Sequence, residues 1–351
     1  MTAIKRLGAA AIAVVAIGAL GAPSSALAGK SHHLKLYKVE QHVDVEGDLD
    51  YTISCRPGDI ATDGMWRIDD VSQDNEFDIL DQWTKTVVIK ARTVPGNTTD
   101  YVFQFLPIAG GDVQAKLWVT CLENPTTGNG HSHSWNTVRV TGTTPALTTP
   151  TPGPVTGQNY TMVSGAGGTV TGTPTPANTC PSGSYIPIAP GFDMTANGGE
   201  GYGYLQKNWH FASGGKEGWE WEFNVASAGP GAGEQFQPDL SYRCLEKRSN
   251  LGGPGGGHRH RIVQQYKFKN TINHPSRTFE THQLHCGEHY KGMVGMWWSH
   301  HFSLYYLGMD PRIKSRAFKF VNTDPFPPTP SGPAYDHTLD LKLSCFKDRT
   351  T

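Results

Sequence analysis

The residues best placed to do chemistry are histidines that come in pairs. His131-Ser132-His133 and His258-Arg259-His260 each follow a glycine, Gly130 and Gly257, and each leads into strand-like sequence. Alternate residues of a strand point to the same side, so two imidazoles at this spacing can share one metal ion, Zn²⁺ or Cu²⁺. His32-His33 opens a third such stretch, but adjacent strand residues face opposite ways and fit a common ion less well. The competing reading is a turn entering a strand, its imidazoles hydrogen-bonded or solvated.

A second group, His282, His285, Cys286 and His289, has the residue types of a zinc site. It works as one only if Cys286 is a free thiolate, because a disulfide sulfur is a poor ligand. The acidic run from Asp69 to Asp78 offers hard oxygens of the kind Ca²⁺ takes, without the order of an EF-hand loop. Trp209, Trp219, Trp221, Trp297 and Trp298 crowd the C-terminal half. Exposed, they would stack on sugars or form a sticky patch for another protein; buried, they fill a core. No nucleophile elbow, His-Glu-x-x-His, phosphate loop or dinucleotide fingerprint occurs, and no carboxylate spacing marks an acid and base pair. The sequence therefore names no catalytic residue.

The cysteines say how these candidates are carried. Cys55, Cys180 and Cys286 each precede a glycine followed by an apolar residue: Gly64-Met65-Trp66, Gly191-Phe192 and Gly295-Met296-Trp297. Cys121, Cys244 and Cys345 instead end alternating apolar runs, after Leu117 and Val119, Leu240 and Tyr242, and Leu341 and Leu343. That period of two is a strand with one buried face, the cysteine on it. The near-equal loops predict the pairs Cys55 with Cys121, Cys180 with Cys244 and Cys286 with Cys345. A mid-unit strand recurs as Tyr101-Val102-Phe103-Gln104-Phe105, Trp219-Glu220-Trp221-Glu222-Phe223 and Ala317-Phe318-Lys319-Phe320-Val321.

Repetition at a period of about 100 residues implies one folding unit used three times. Each unit holds several short strands between Gly, Pro, Asn and Asp turns, which suits an antiparallel β-sandwich. The expected architecture is all-β: three tandem disulfide-closed antiparallel β-sandwich modules after a signal peptide. The boundaries read as 1–28 signal peptide, 29–141 first module, 142–157 Thr/Pro-rich linker, 158–250 second module and 251–351 third module. The stretch 142–157 fits equally as a loop inside the second module, and the sequence leaves both readings open.

The leader rests on Lys5 and Arg6, an apolar run from Leu7 to Leu20, and Ala26-Leu27-Ala28 as a peptidase site. The run is too short to span a bilayer, and no later stretch approaches the length needed, so the mature chain carries no transmembrane segment by this reading. Losing Lys5 and Arg6 shifts the formal charge of −1 further negative, which disfavours nucleic acid as a partner.

The Cys-x-x-Gly step at Cys55 and Cys180, the Gly-apolar step and the closing strand ending in cysteine resemble small secreted modules of high-GC Gram-positive bacteria. Module three departs from them, with His289 where Gly58 and Gly183 stand in the others. The resemblance implies extracellular location and architecture, and brings no catalytic residues. The expectation is a secreted, non-enzymatic structural or interaction protein, its partner itself, a cell-surface protein or a polysaccharide. The alternatives are a binder of carbohydrate or of a divalent metal through the His pairs, and a secreted hydrolase.

Overall fold

The structure is a computed structural model. It describes residues 33–45, 47, 49–70, 86–107, 113–128, 130–143, 147–148, 179–195, 203–225, 235–236, 238–253, 257–275, 278–300, 304–322 and 337–350. The leader, His32, most of the acidic run and most of the Thr/Pro-rich stretch lie outside the described residues.

The chain is all-β; among the described residues there is no helix, and so none long and apolar enough to cross a membrane. The first disulfide-closed segment supplies β1 (Leu36–Val45), β2 (Asp50–Ser54), β3 (Ile60–Asp70), β4 (Thr86–Thr93), β5 (Asp100–Pro107) and β6 (Val113–Leu122). A small hairpin follows, β7 (Thr126–Gly128) with β8 (His131–His133), then β9 (Thr137–Thr143) and β10 (Leu147–Thr148). The second segment adds β11 (Tyr185–Asp193), β12 (Gly203–Ser213), β13 (Lys216–Val225), β14 (Gln235–Phe236) and β15 (Asp239–Glu246). The third adds β16 (His260–His274), β17 (Phe279–His285), β18 (Lys291–Ser299), β19 (Leu304–Arg312), β20 (Ser315–Asn322) and β21 (His337–Thr350).

These strands build three large antiparallel sheets, and each sheet is shared between two segments. Their orders are β1-β6-β3-β19-β20-β17, β2-β5-β4-β11-β15-β9 and β13-β12-β18-β21-β16. Each segment divides its strands between two sheets, so no segment buries its apolar faces alone. Where segments meet, the seam is a strand pair: β3 with β19, β4 with β11, β12 with β18. The strand carrying the Gly-apolar step stands at every seam. A side chain at Gly64 would run into the Tyr101 ring, and one at Gly295 into the Met309 sulfur, so these glycines let facing layers close.

All six cysteines pair as the sequence spacing predicts: Cys55–Cys121, Cys180–Cys244 and Cys286–Cys345, closing separations of 66, 64 and 59 residues. Each bond joins two sheets. Cys55 follows β2 while Cys121 lies on β6, Cys180 hydrogen-bonds beside β13 while Cys244 lies on β15, and Cys286 follows β17 while Cys345 lies on β21. Three such bonds are the mark of an oxidising compartment.

The alternating strands that end in cysteine do bury Leu117, Val119, Tyr242 and Leu343, but Trp118, Thr120, Arg243 and Lys342 between them are buried too. These strands lie inside their sheets with both faces covered, which an alternating pattern under-reads. At the centre, Trp66 meets Phe103, Phe192, Trp297 and Tyr306 edge-on, and Trp297 stacks on Tyr306 at 3.6 Å. Such ring pairs add roughly 0.5–1.5 kcal/mol each beyond the area they bury. β9 runs into the start of the Thr/Pro-rich stretch and pairs with β15, Thr137 opposite Leu245 and Thr143 opposite Asp239, so the chain entering that stretch belongs to the same sheet as the chain beyond it.

A candidate metal centre where two His-x-His pairs converge

β8 is held by pairing with β7, Thr126 opposite His133 and Gly128 opposite His131. Gly130, at φ +78°, makes the tight turn that starts β8, a conformation glycine adopts without the Cβ penalty. His131 and His133 then fall on one face, their ring centroids 5.0 Å apart. His258 and His260 do the same at the head of β16, 5.4 Å apart.

What brings the two pairs together is the segment Lys247 to Asn250, just beyond Cys244. On one side the Asn250 N–H donates to the Ser134 carbonyl at 2.8 Å. On the other, the Ser249 N–H donates to the His260 carbonyl, the His260 N–H to Ser249 Oγ, and the Ile262 N–H to the Lys247 carbonyl. The segment is laced to both histidine stretches, and they meet across it.

The result is four imidazoles in one place. His131 and His258 approach to 3.5 Å between their Nε2 atoms, and one ligand nitrogen from each of His131, His133 and His258 lies within 4.8 Å of the others. The His133 ring stands 4.7 Å from that of His258 and 4.5 Å from that of His260. Two of the rings are oriented by acceptors. Asn250 O accepts from His133 Nδ1 at 3.0 Å and Asp348 Oδ2 from His260 Nδ1 at 2.8 Å, which leaves the lone pair of each ring at Nε2. A carboxylate or carbonyl behind a histidine is how metal-binding imidazoles are fixed in tautomer and aim. His133 and His260 are buried and Trp135 forms a wall beside them, 6.1 Å from His260. The His258 imidazole titrates below its usual range, first because of desolvation and then because His133, His131 and His260 crowd it, with Asp348 pulling the other way. Imidazole nitrogens at close range are the donor set of a borderline divalent ion.

The other candidates fare differently. His33 is exposed and faces Asp348 at 3.8 Å, outside the imidazole group. Asp348 is the member the sequence does not announce: it lies 88 residues from His260, and it also accepts the Leu34 N–H. The group around Cys286 is not a thiolate site, because Cys286 is bonded to Cys345. His285 turns to Gln283, and His289 lines a shallow cleft with His33, Lys291 and Asp348. In the acidic run, the residues after Asp70 lie outside the described residues. Of the five tryptophans, Trp219, Trp221 and Trp297 are buried to 2% exposure or less, where no ring can stack on a soluble ligand. They are core residues because they stand on the buried face of the sheet that β13 and β18 share. Trp209 and Trp298 are half-buried, each with a lysine ammonium over its ring, Lys342 at 5.2 Å and Lys207 at 4.0 Å.

Neither protein-family models nor curated proteins yield a match to this chain.

Proposed function

We propose that this is an exported, non-enzymatic protein that holds a divalent transition-metal ion, Zn²⁺ or Cu²⁺, at the convergence of its two His-x-His pairs. The observation that carries the reading is the meeting of His131, His133 and His258, whose ligand nitrogens lie within 4.8 Å although His131 and His258 are 127 residues apart. His260 stands beside them as a fourth imidazole with Asp348 behind it.

The architecture proposed with it is three copies of one β module closed into a ring, preceded by a cleaved leader. In support, each disulfide ties two sheets, each seam repeats the same strand order, and each Gly-step strand has a bulge just before or at its glycine. In this reading the Thr/Pro-rich stretch sits inside the second module, since β9 pairs with β15 across it. Three disulfides and the resemblance to secreted bacterial modules favour the cell exterior. Edge-to-edge self-assembly has less behind it, because β1 presents Lys38, Glu40, His42 and Asp44, an edge of alternating charge.

Titration calorimetry on tag-free mature protein with Zn²⁺ and Cu²⁺ tests the function. Binding well below millimolar is expected, with one ion fewer per chain in H131A/H258A and weakening below about pH 6 as imidazoles protonate. Affinity no better than millimolar, or a stoichiometry unchanged in that variant, overturns it.

A further inference from the structure

We infer that the turn between β16 and β17, where the chain passes from one sheet to another, carries a second, separate metal site, built from His274, Glu280 and His282, suited to Zn²⁺. The sequence places two of the three with no help from the fold: Glu280-Thr281-His282 alternates along β17, so the carboxylate and the imidazole share a face. His274 ends β16 on the other side of the turn, and its ring meets that of His282 at a centroid distance of 5.6 Å.

The three ligand atoms are spaced like the corners of one face of a coordination polyhedron. His274 Nδ1 to His282 Nε2 is 3.4 Å, His282 Nε2 to Glu280 Oε2 is 3.4 Å, and His274 Nδ1 to Glu280 Oε2 is 3.9 Å. Ligands at zinc bond lengths of about 2.0–2.1 Å in a tetrahedron lie roughly 3.3–3.4 Å from one another. An ordinary ion pair would draw the carboxylate onto one imidazole; here the same oxygen reaches towards both.

The ring of His274 is aimed by its surroundings. Its Nε2 is 3.0 Å from the Thr278 carbonyl, an acceptor only, so the ring proton sits there and the lone pair faces Glu280 and His282 from Nδ1. The turn is pinned in the same way: the Asn322 N–H also donates to Thr278 O, and Asn322 Nδ2 donates to His274 O at 3.1 Å. Asn322 is fully buried, which makes it the positioning residue of the site. His274 and His282 are buried while Glu280 is 37% exposed, so the site is dry behind and open to solvent on the carboxylate side. Three protein ligands of the type His₂Glu leave one coordination position for water or a small anion.

The test separates this site from the four-imidazole centre by stoichiometry and spectrum. In the full chain, H131A/H258A is expected to retain one Zn²⁺ and, loaded with Co²⁺, to show visible d–d bands. Adding H282A to that variant is expected to abolish both. E280Q, which keeps shape and removes only the charge, is expected to weaken Zn²⁺ at this site by roughly tenfold or more. Native disulfide maps and far-ultraviolet dichroism accompany each variant, and N322A is expected to weaken binding less than H282A. If H131A/H258A holds no ion, or if H282A and E280Q leave its affinity unchanged in folded protein, the site binds a shared proton rather than a metal and the inference falls.

Discussion

Two places where segments of this chain meet concentrate titratable groups, and they do opposite things with them. In the core, Asp63 from β3 and Arg316 from β20 face each other at 3.6 Å, both fully buried. Asp63 Oδ2 accepts the Gly295 N–H from the neighbouring sheet at 3.0 Å, and Arg316 donates to Thr120 Oγ1 and to the carbonyls of Arg312, Ser315, Gly292 and Met293. The contacts to Gly292, Met293 and Gly295 hold two sheets together. At the rim, His131, His133, His258 and His260 turn their rings on one another, and acceptors behind His133 and His260 leave lone pairs at Nε2. Buried charge closed off by partners is architecture; imidazole nitrogens turned towards one another can take up and release a ligand.

The sharpest way to break the contrast is at the core. Arg316→Met leaves the Asp63 carboxyl buried without its cation and is expected to cost about 3–5 kcal/mol in urea unfolding, while Zn²⁺ affinity of the folded protein stays unchanged. Removing Cys180–Cys244 comes next. The chain-entropy model gives about 4 kcal/mol for a loop of this size, and because Lys247–Asn250 follows Cys244 directly, C180A/C244A should lose the rim ion as well as stability. Calorimetry with Zn²⁺ on that variant checks the link.

Metal itself gives a smaller effect. Each ion bound only by the folded chain should add about 2.7 kcal/mol at a hundredfold excess over its Kd, read as a rise in melting temperature that a chelator reverses. In H131A/H258A that rise should shrink, while stability without metal changes by roughly 1 kcal/mol or less.

The subtlest test uses pH. Burial raises the Asp63 carboxyl to about 7 against the opposing pull of Arg316 and Gly295. The folded chain then holds a proton that the unfolded chain has released, so this group's contribution is present at pH 4 and is lost as pH rises towards 7. Asp63→Asn cannot titrate, and its deficit relative to the parent should narrow over that interval in melts at fixed ionic strength. The lowered His258 and His282 act in the other direction, since folded neutral imidazoles gain stability as pH rises through the ordinary histidine range.

Much of this was legible before folding. The cysteine pairs followed from matched contexts, and the strands from alternation, because both are local properties of chain and period. The His-x-His pairs were legible as pairs, and Glu280-Thr281-His282 carries the same alternate-residue signal, though its partner His274 lies across a turn, where no spacing rule connects them. The tryptophans were open to two readings, and the alternating pair Trp219 and Trp221 is buried on one face of β13 while adjacent Trp297 and Trp298 divide between a buried and a half-buried face of β18.

Spacing along the chain determined which residues share a face, which cysteines bond, and that strands would carry the load; each depends on a few neighbouring residues and the stereochemistry of extended backbone. The tertiary structure alone decided that segments would share sheets, that His131 would meet His258, and that Asp348 would stand behind His260. The two histidine contacts join residues 127 and 88 positions apart, and no local preference encodes a distance of that kind.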